Sequence, residues 1–424
     1  MAHAVLPAIT GWPPRTRWPD AVHRGLPAVR AVVNGPGAGD SGPLVLGVSG
    51  GADSLALLVL VALAGASERA EVLSVDHGVQ EGSAAVSAAV VEVARTVRFA
   101  RADAVRVTMP GSGPSAVGAG HEGEPLAVQD GPGTTLGGPE ASARAARYAA
   151  LVARVSESAG GVVLTAHTAD DQAEQVLLGL ARGSGPRSLA GIPARGPAPT
   201  GAGAGVDVVR PLLGLTRQDT EAICRWAGIT WWSDPHNTVT DYRRVRVRQH
   251  LLPALEDPER GLGPGVRDAL VRTAQIAAED AAALEAWAGR VFEDARCDSC
   301  GDGVVQADSQ FERPLADAAA RMPGGGEHTG VVLRLDVVRG QPPAVRHRVY
   351  ALAVRAAGGA SPTRERLLAV DGLAATPSGT GTGGSAGPLQ LEGGVSVWRR
   401  HRGPEHQART RRYATLEFTR TRGR

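Results

Sequence analysis

The chain has 424 residues, and its 45 basic and 43 acidic side chains nearly balance to a formal net charge of +2, so bulk charge does not mark it as a nucleic-acid-binding protein. No lysine occurs in the sequence, and every basic side chain is therefore arginine. This composition excludes a phosphate loop of the Walker A type and catalysis through a lysine Schiff base, because both need a lysine side chain.

Apolar runs and helical patterns alternate through the first half of the chain. Short apolar runs are predicted to be strands: Leu44–Val48, Val72–Val75, Ala104–Thr108, Val162–Ala166 and Val206–Arg210. Longer stretches with helical periodicity lie between them: Asp53–Leu63, Ser83–Val97, Ala141–Ser158 and Ala169–Ala181. The alternation predicts an α/β fold in which a parallel, twisted sheet is covered by helices on both faces.

The pattern becomes helical beyond residue 215. The helices predicted there are Thr216–Ala227, Arg243–Leu255 and Gly265–Ala295. Thr216 and Asp219 are expected to cap the first of them. Near the C-terminus, Leu389–Trp398 alternates between apolar and polar side chains around a central Gly-Gly pair, and it predicts a β-hairpin.

These shifts in pattern predict three regions: an α/β domain over residues 1–215, a helical region over 216–325 and a small mixed domain with a basic tail over 326–424. Gly111–Pro139 is rich in glycine and proline and lacks periodicity, so it is predicted to be a disordered insertion in the first domain. Arg195–Gly205 and Thr376–Gly387 are predicted to be shorter inserts of the same kind.

The cysteines Cys224, Cys297 and Cys300 provide no disulfide framework, and the lone Cys-x-x-Cys of the last two is half of a usual zinc ligand set. The N-terminus lacks the apolar segment of a secretory signal, and no apolar run is long enough to span a bilayer. We therefore expect a cytoplasmic protein with no membrane partner.

The stretch Ser49–Ser54 reads Ser-Gly-Gly-Ala-Asp-Ser between two apolar runs, and it predicts a strand, a tight glycine turn and a helix. Such a turn directs backbone N–H groups and the positive end of a helix dipole toward one point, where phosphate binds. An acidic residue in a phosphate cradle suggests a divalent cation between them, so Asp53 indicates Mg²⁺. The alternative is an ordinary glycine-rich turn.

A second polar motif, Ala166–Glu174, starts at a predicted strand end and enters a helix. Its chemically active side chains recur at three- and four-residue steps and are expected on one side of the first turns: His167, Asp170, Asp171 and Glu174. We interpret them as a catalytic or metal-binding cluster, although an aspartate in a first turn often only complements the helix dipole. Residues that directly follow strands are expected at one rim of the sheet: Ser49, Asp76, His77 and His167.

Together these segments resemble the N-type ATP pyrophosphatases, or PP-loop enzymes, whose phosphate loop reads Ser-Gly-Gly-x-Asp-Ser. Within that superfamily the sequence is similar to the tRNA(Ile)-lysidine synthetases. The matching pieces occur in the family's order: Val75–Gly78, Ala166–Glu174, Leu180–Pro186, Arg210–Leu213, Trp232–Asn237, Arg244–Arg248 and Leu251–Pro253. The resemblance spans residues 44–255 and implies the adenine nucleotide alpha hydrolase-like fold.

This resemblance also implies a reaction. The family uses ATP to adenylate C2 of the wobble cytidine in the CAU anticodon of isoleucine tRNA. Free L-lysine then displaces AMP and gives lysidine, so the implied partners are that tRNA and lysine, and the implied cofactors are ATP and Mg²⁺. The alternatives are a PP-loop tRNA thiolase that acts on a cytidine or uridine and a catalytically silent tRNA-binding protein.

The resemblance assigns roles residue by residue. ATP binding is assigned to Ser49, Gly50, Gly51, Ala52, Asp53, Ser54 and His77. Catalysis is assigned to Asp53, His167, Asp170 and Asp171, and Mg²⁺ binding to Asp53 and Asp171. Binding of tRNA is assigned to Arg144, Arg244 and Arg248. As alternatives, Arg144 is a solvated helix residue, and the other two arginines form structural ion pairs.

Overall fold

The computed structural model describes residues 13–35, 42–78, 82–107, 139–157, 161–183, 185–199, 205–233, 243–297, 330–375, 386–402 and 413–420. The chain divides into two compact units, residues 1–278 and 279–424. The insertion predicted at Gly111–Pro139 lies outside the described residues up to residue 138, and Pro139 begins a helix. The division into three regions stays a prediction.

A six-stranded sheet organises the first unit, in the order β3-β2-β1-β4-β6-β5. Its strands are β1 (Leu44–Gly47), β2 (Ala70–Asp76), β3 (Arg101–Arg106), β4 (Val162–Leu164), β5 (Arg195–Pro197) and β6 (Asp207–Val209). All neighbours pair in parallel except β5, which lies antiparallel to β6 at one edge. The α/β fold with a mostly parallel sheet is confirmed.

Helices make up most of the remaining structure of the first unit, and some of them pack on the sheet. They are α1 (Asp20–Val33), α2 (Ala52–Leu63), α3 (Ser83–Thr96), α4 (Pro139–Ser156), α5 (Ala169–Ala181), α6 (Pro186–Leu189), α7 (Arg217–Trp226), α8 (Arg243–Arg246), α9 (Leu252–Glu256) and the part up to Ala278 of α10 (Val266–Ala295). Every residue of α2 from Leu55 to Val61 is buried, and the helix contacts α1 and α7. This burial explains why the sequence of α2 is apolar without interruption, because a helix that is surrounded by protein has no face that contacts solvent.

Several details of local structure differ from the sequence predictions. Arg195–Gly205 is not wholly an insert, because its first three residues pair with β6. Strand β3 begins at Arg101, three residues before the predicted Ala104. Among the described strands it pairs only with β2, and an edge strand of this kind can include charged residues such as Arg101 and Asp103. The helix predicted at Arg243–Leu255 is divided by a π-helical segment, Val247–Leu251, between α8 and α9.

The second unit contains a four-stranded antiparallel sheet, in the order β7-β10-β9-β8. Its elements are the remainder of α10, β7 (Gly330–Arg334), α11 (Leu335–Arg339), α12 (Pro343–Ala356), α13 (Arg364–Ala375), β8 (Ala386–Leu391), β9 (Val395–Arg402) and β10 (Tyr413–Arg420). The predicted hairpin is confirmed, with Gly393 and Gly394 both at φ +75° in the turn between β8 and β9. No helix in the described ranges is long and apolar enough to cross a membrane.

Candidate functional site

The glycine turn lies between β1 and α2, as the sequence predicts. Gly50 has φ +85°, and a Cβ atom there would come within 2.5 Å of the Val86 side chain, so this position requires glycine. The Trp232 N–H donates to the Gly50 carbonyl at 2.9 Å. The backbone of the turn is therefore held from the segment that follows α7.

Both serines of the motif take part in the turn. The Ser54 hydroxyl donates to the Gly51 carbonyl at 2.9 Å and accepts from the Ser49 N–H at 3.2 Å. Ser49 remains exposed, while Ala52 and Ser54 are buried. The first N–H groups of α2 have no acceptor within the helix, and together with the helix dipole they form a site suited to an anion such as phosphate.

Asp53 lies in the first turn of α2, and its carboxylate faces α7. Its Oδ1 accepts a hydrogen bond from the Thr220 hydroxyl at 2.5 Å, and its Oδ2 lies 3.6 Å from Nη2 of Arg217. Burial raises the pKa of Asp53, the two α7 partners oppose this, and the charges of Asp171 and Asp170 raise it further. The carboxylates of the two motifs therefore share one electrostatic environment.

The second motif begins α5 with a capping box. Asp171 Oδ2 accepts from the Thr168 N–H at 2.8 Å, and Oδ1 accepts from Arg244 Nη2 at 2.8 Å. Burial would raise the pKa of Asp171, but Arg244, His167 and the capping hydrogen bond outweigh it, and the pKa lies below its usual value. Asp171 is therefore ionised and is already engaged by the protein through both oxygens.

The residues suit Mg²⁺ to different degrees. Magnesium is usually held by one or two carboxylates together with phosphate oxygens and water. Asp53 fits this role, because it adjoins the anion site and because a long ion pair with Arg217 is the one contact of its Oδ2 among the described residues. Asp171 fits less well, since donors from Thr168 and Arg244 occupy its oxygens. Within the described ranges no group of three or more His, Cys, Asp or Glu side chains is placed to hold a metal ion.

Glu174 is completely buried, with 0% of its side chain exposed. It accepts from Arg244 Nε at 2.7 Å and from Arg248 Nε and Nη2 at 2.6 and 3.1 Å. The two arginines thus share a face, as their four-residue spacing predicts, but their guanidinium groups turn inward toward α5. These contacts are the structural ion pairs that the sequence analysis gives as the alternative to tRNA binding. The tRNA-binding role of both arginines stays a prediction.

Asp170 does not face the same neighbours as Asp171 and Glu174, although the sequence predicts that they form one cluster. Its Oδ2 accepts from the Arg217 N–H at 2.7 Å, and its Oδ1 pairs with Arg267 Nη1 at 2.9 Å. It therefore ties α5 to α7 and to the first part of α10. The periodicity of the motif could not reveal this, because Asp171 and Asp170 are adjacent and point to different neighbours.

Two half-buried histidines lie at the rim. His167 Nδ1 lies 3.1 Å from the Thr165 hydroxyl, and His77 Nε2 lies 3.2 Å from Arg147 Nη2. The pKa of each histidine is lowered to about 4, mainly by burial and also by neighbouring arginines. The charges of Asp76 near His77 and Asp171 near His167 oppose this shift only in part. The buried Nδ1 of His77 has no hydrogen-bond partner within the described part of the chain. Both imidazoles are therefore neutral at pH 7.

We expect His77 and His167 to titrate near pH 4 rather than near the usual 6.5. Because each folded pKa lies below the unfolded value, these histidines contribute stability that is fully present above pH 6.5 and is lost as the pH falls toward 4. NMR titration of the imidazole signals measures this, and His77→Gln and His167→Gln assign them. A signal from either residue with a midpoint between about 6 and 7 would contradict the described environment.

Arg144 lies on α4, where its guanidinium stacks 5.2 Å from the ring centroid of Tyr148. Its charge lowers the pKa of His167, which shows that it lies near the second motif. The structure thus brings Arg144 toward the rim. A contact between Arg144 and nucleotide or tRNA stays a prediction.

The residues that sequence reasoning missed lie on α7. Arg217 and Thr220 contact Asp53, and the Cys224 thiol donates to the Ala52 carbonyl at 3.3 Å. Their spacing of three and four residues on a predicted helix is the signal that could have identified a common face. The sequence could not show that this face meets the first turn of α2.

Known proteins resemble the chain over most of its length. A family model described as a PP-loop domain matches residues 30–255. The sequence is 40% identical over 363 residues to the tRNA(Ile)-lysidine synthase of Salinispora arenicola, covering 85% of this chain and 89% of the relative. It is 36% identical to the tRNA(Ile)-lysidine synthase of Nocardia farcinica, covering 87% of this chain and 95% of the relative. Among solved structures, the U34-tRNA thiolase NcsA from Methanococcus maripaludis matches 61% of this chain and 80% of its own, with 16% identity and a TM-score of 0.44.

Proposed function

Because the chain belongs to the tRNA(Ile)-lysidine synthases, a family of PP-loop enzymes, we propose that it ligates L-lysine to the wobble cytidine of the CAU anticodon in isoleucine tRNA. The observation that carries this proposal is the proximity of two sites. Arg217 links the turn at Ser49–Ser54 to the polar start of α5, because its N–H donates to Asp170 at 2.7 Å and its Nη2 lies 3.6 Å from Asp53 Oδ2. A nucleotide phosphate and a second, cationic substrate can therefore meet at one rim of the sheet.

In the proposed first step, the C2 oxygen of cytidine attacks the α-phosphorus of ATP, and the bond to the bridging oxygen breaks to release pyrophosphate. Backbone N–H groups at the start of α2 face the negative charge that develops on this leaving group. Asp53 would hold Mg²⁺ there, which supplies further neutralising charge when bound. The neutral imidazole of His167 has one N–H donor and one acceptor nitrogen. It positions its partner either by donating to a phosphate oxygen or by accepting from the cytosine amine.

In the proposed second step, the ε-amino group of lysine attacks C2, the carbon–oxygen bond breaks, and AMP leaves. The amine must lose its protons before and during the attack. The ionised carboxylate of Asp171 attracts the lysine ammonium into the site by its charge. It receives or relays a proton by exchanging its Oδ1 contact with Arg244 for the amine, while the Thr168 N–H keeps Oδ2 in place. Asp170 has a supporting part in this scheme, because Arg267 and the Arg217 N–H occupy its oxygens.

Binding of tRNA is proposed to involve Arg144 at the rim and the arginine pair on α8 and the π-helical segment. We expect Arg248→Ala to weaken tRNA binding and to lower the slope of log affinity against log salt concentration by about one. Fluorescence anisotropy at several salt concentrations measures the slope. Arg225→Ala removes an arginine that is paired with Glu221 on the exposed side of α7, and it serves as the control.

An unchanged salt slope in Arg248→Ala would contradict the phosphate contact. In that case any lost affinity would come from the broken pair with Glu174 alone.

One assay tests the function and separates it from its alternatives. Purified protein is incubated with ATP, labelled lysine and unmodified isoleucine tRNA that carries a CAU anticodon. The proposal requires incorporation of lysine with release of AMP and pyrophosphate. Incorporation of sulfur from a supplied donor would indicate a thiolase, and tight tRNA binding without turnover would indicate a binding protein.

A further inference from the structure

Helix α7 presents polar side chains to the first turn of α2. Thr220 donates to Asp53 Oδ1 at 2.5 Å, and Cys224 donates to the Ala52 carbonyl at 3.3 Å. One turn earlier, Arg217 Nη2 lies 3.6 Å from Asp53 Oδ2. The two oxygens of one carboxylate are therefore held unequally, Oδ1 by a short hydrogen bond and Oδ2 by a long ion pair.

The Thr220 hydroxyl is not needed to cap its own helix. Thr216 and Asp219 already form the capping box of α7, with the Asp219 N–H donating to the Thr216 hydroxyl at 3.2 Å. Thr220 has 0% of its surface exposed, and its single hydroxyl proton can go to Asp53 or to the Arg217 carbonyl at 2.8 Å. A carboxylate oxygen is a stronger acceptor than a backbone carbonyl.

Helix α7 is itself anchored on two sides. Asp170 of α5 accepts from the Arg217 N–H at 2.7 Å, and Arg24 of α1 pairs with Asp219. Because α7 is held in place by α5 and α1, a side chain on α7 can hold a group on α2 in one orientation. This is the condition under which one hydrogen bond can hold a carboxylate in a single rotamer.

We propose that Thr220 is a positioning residue for the lysine-ligating reaction: it holds Asp53 by Oδ1 and leaves Oδ2 as the oxygen that meets magnesium-bound ATP. This inference rests on the proposed function, because it assigns a use to Asp53. The long Arg217 contact at Oδ2 is exchangeable for a cation, whereas the short hydrogen bond from the buried Thr220 to Oδ1 is retained.

The test compares Thr220→Val with Thr220→Ser. Valine keeps the volume of threonine and removes the hydroxyl, and serine keeps the hydroxyl. Thr415→Val is the matched control, because Thr415 is also 0% exposed and its hydroxyl has no hydrogen-bond partner among the described residues. The measurements are kcat and KM for ATP in the lysine-incorporation assay, and ATP affinity by calorimetry with and without Mg²⁺.

We expect Thr220→Val to lower kcat by about 10- to 100-fold, which corresponds to the loss of one hydrogen bond to a charged group. Its ATP affinity should fall in the presence of Mg²⁺ and stay unchanged without it. Thr220→Ser and Thr415→Val should both behave like the wild type.

Three results would overturn the inference: wild-type kinetics in Thr220→Val, equal losses in the serine and valine variants, or an equal loss of ATP affinity with and without Mg²⁺. The last two would indicate packing or folding rather than orientation of the carboxylate. Failure of the proposed function is a separate result, because the wild type and Thr415→Val would then also incorporate no lysine.

Discussion

Replacing Asp53 with alanine is expected to reduce ATP-dependent adenylation by at least about 10²- to 10³-fold while tRNA affinity stays near the wild-type value. The reason is its position: the carboxylate adjoins the anion-binding turn and is fixed by Thr220 at 2.5 Å. The alanine variant lacks the carboxylate that is proposed to hold Mg²⁺ beside the leaving pyrophosphate. Release of radiolabelled pyrophosphate in single-turnover experiments gives the rate, and anisotropy gives the affinity for tRNA.

Two further variants separate charge from shape. Asp53→Asn keeps an oxygen that can accept from Thr220 but removes the negative charge, so it should be nearly as inactive as Asp53→Ala. Asp20→Ala removes an acidic residue from the first turn of α1 and should have no effect on the rate. If Asp53→Ala releases pyrophosphate at the wild-type rate, Asp53 has no part in the mechanism.

The largest effect on stability is expected at Glu174. Its side chain is 0% exposed, and it pairs with Arg244 and Arg248, whose side chains are 29% and 26% exposed. Glu174→Ala leaves two partly buried guanidinium groups without their main acceptor, and removing one partner of a buried pair typically costs about 3–5 kcal/mol. We expect the free energy of unfolding of this region to fall by that amount.

Hydrogen–deuterium exchange of peptides from residues 169–181, measured across a urea titration, reports this loss locally. Glu221→Ala is the matched control, because Glu221 pairs at 3.1 Å with Arg225, whose side chain is 61% exposed. Such exposed helix pairs contribute about 0.3–0.5 kcal/mol. Equal protection of the wild type and Glu174→Ala would show that the ion pairs do not hold the arginine segment to α5.

The parts of the site that the sequence predicts are local ones. The turn at Ser49–Ser54 and the start of α5 follow from glycine and apolar periodicity within about ten residues of chain. The cap of α7 follows from the residue types of Thr216 and Asp219. Helix α1 was not predicted although Val22, Leu26, Val29 and Val33 are buried at helical spacing. Pro27 lies inside that helix, and an internal proline normally argues against one.

The partners of the polar residues could not be predicted, because they come from distant chain. Asp53 and Thr220 are 167 positions apart, and Glu174 and Arg248 are 74 apart. Sequence periodicity shows that Arg244 and Arg248 share a face but not whether this face meets solvent or protein. The full burial of Glu174, a residue type that is rarely buried, decides that question, and it is a property of the tertiary structure.

The central claim is that the turn after β1 and the start of α5 together activate a cytidine with ATP. The most direct test omits lysine: protein, Mg²⁺, unmodified isoleucine tRNA and ATP labelled at the α-phosphate are mixed, and the tRNA is analysed for covalently attached label. We predict that label is attached to the wobble cytidine, that it is released as AMP when lysine is added, and that Asp53→Ala attaches none. If wild-type protein binds both ATP and this tRNA but transfers no label to it, the account is contradicted.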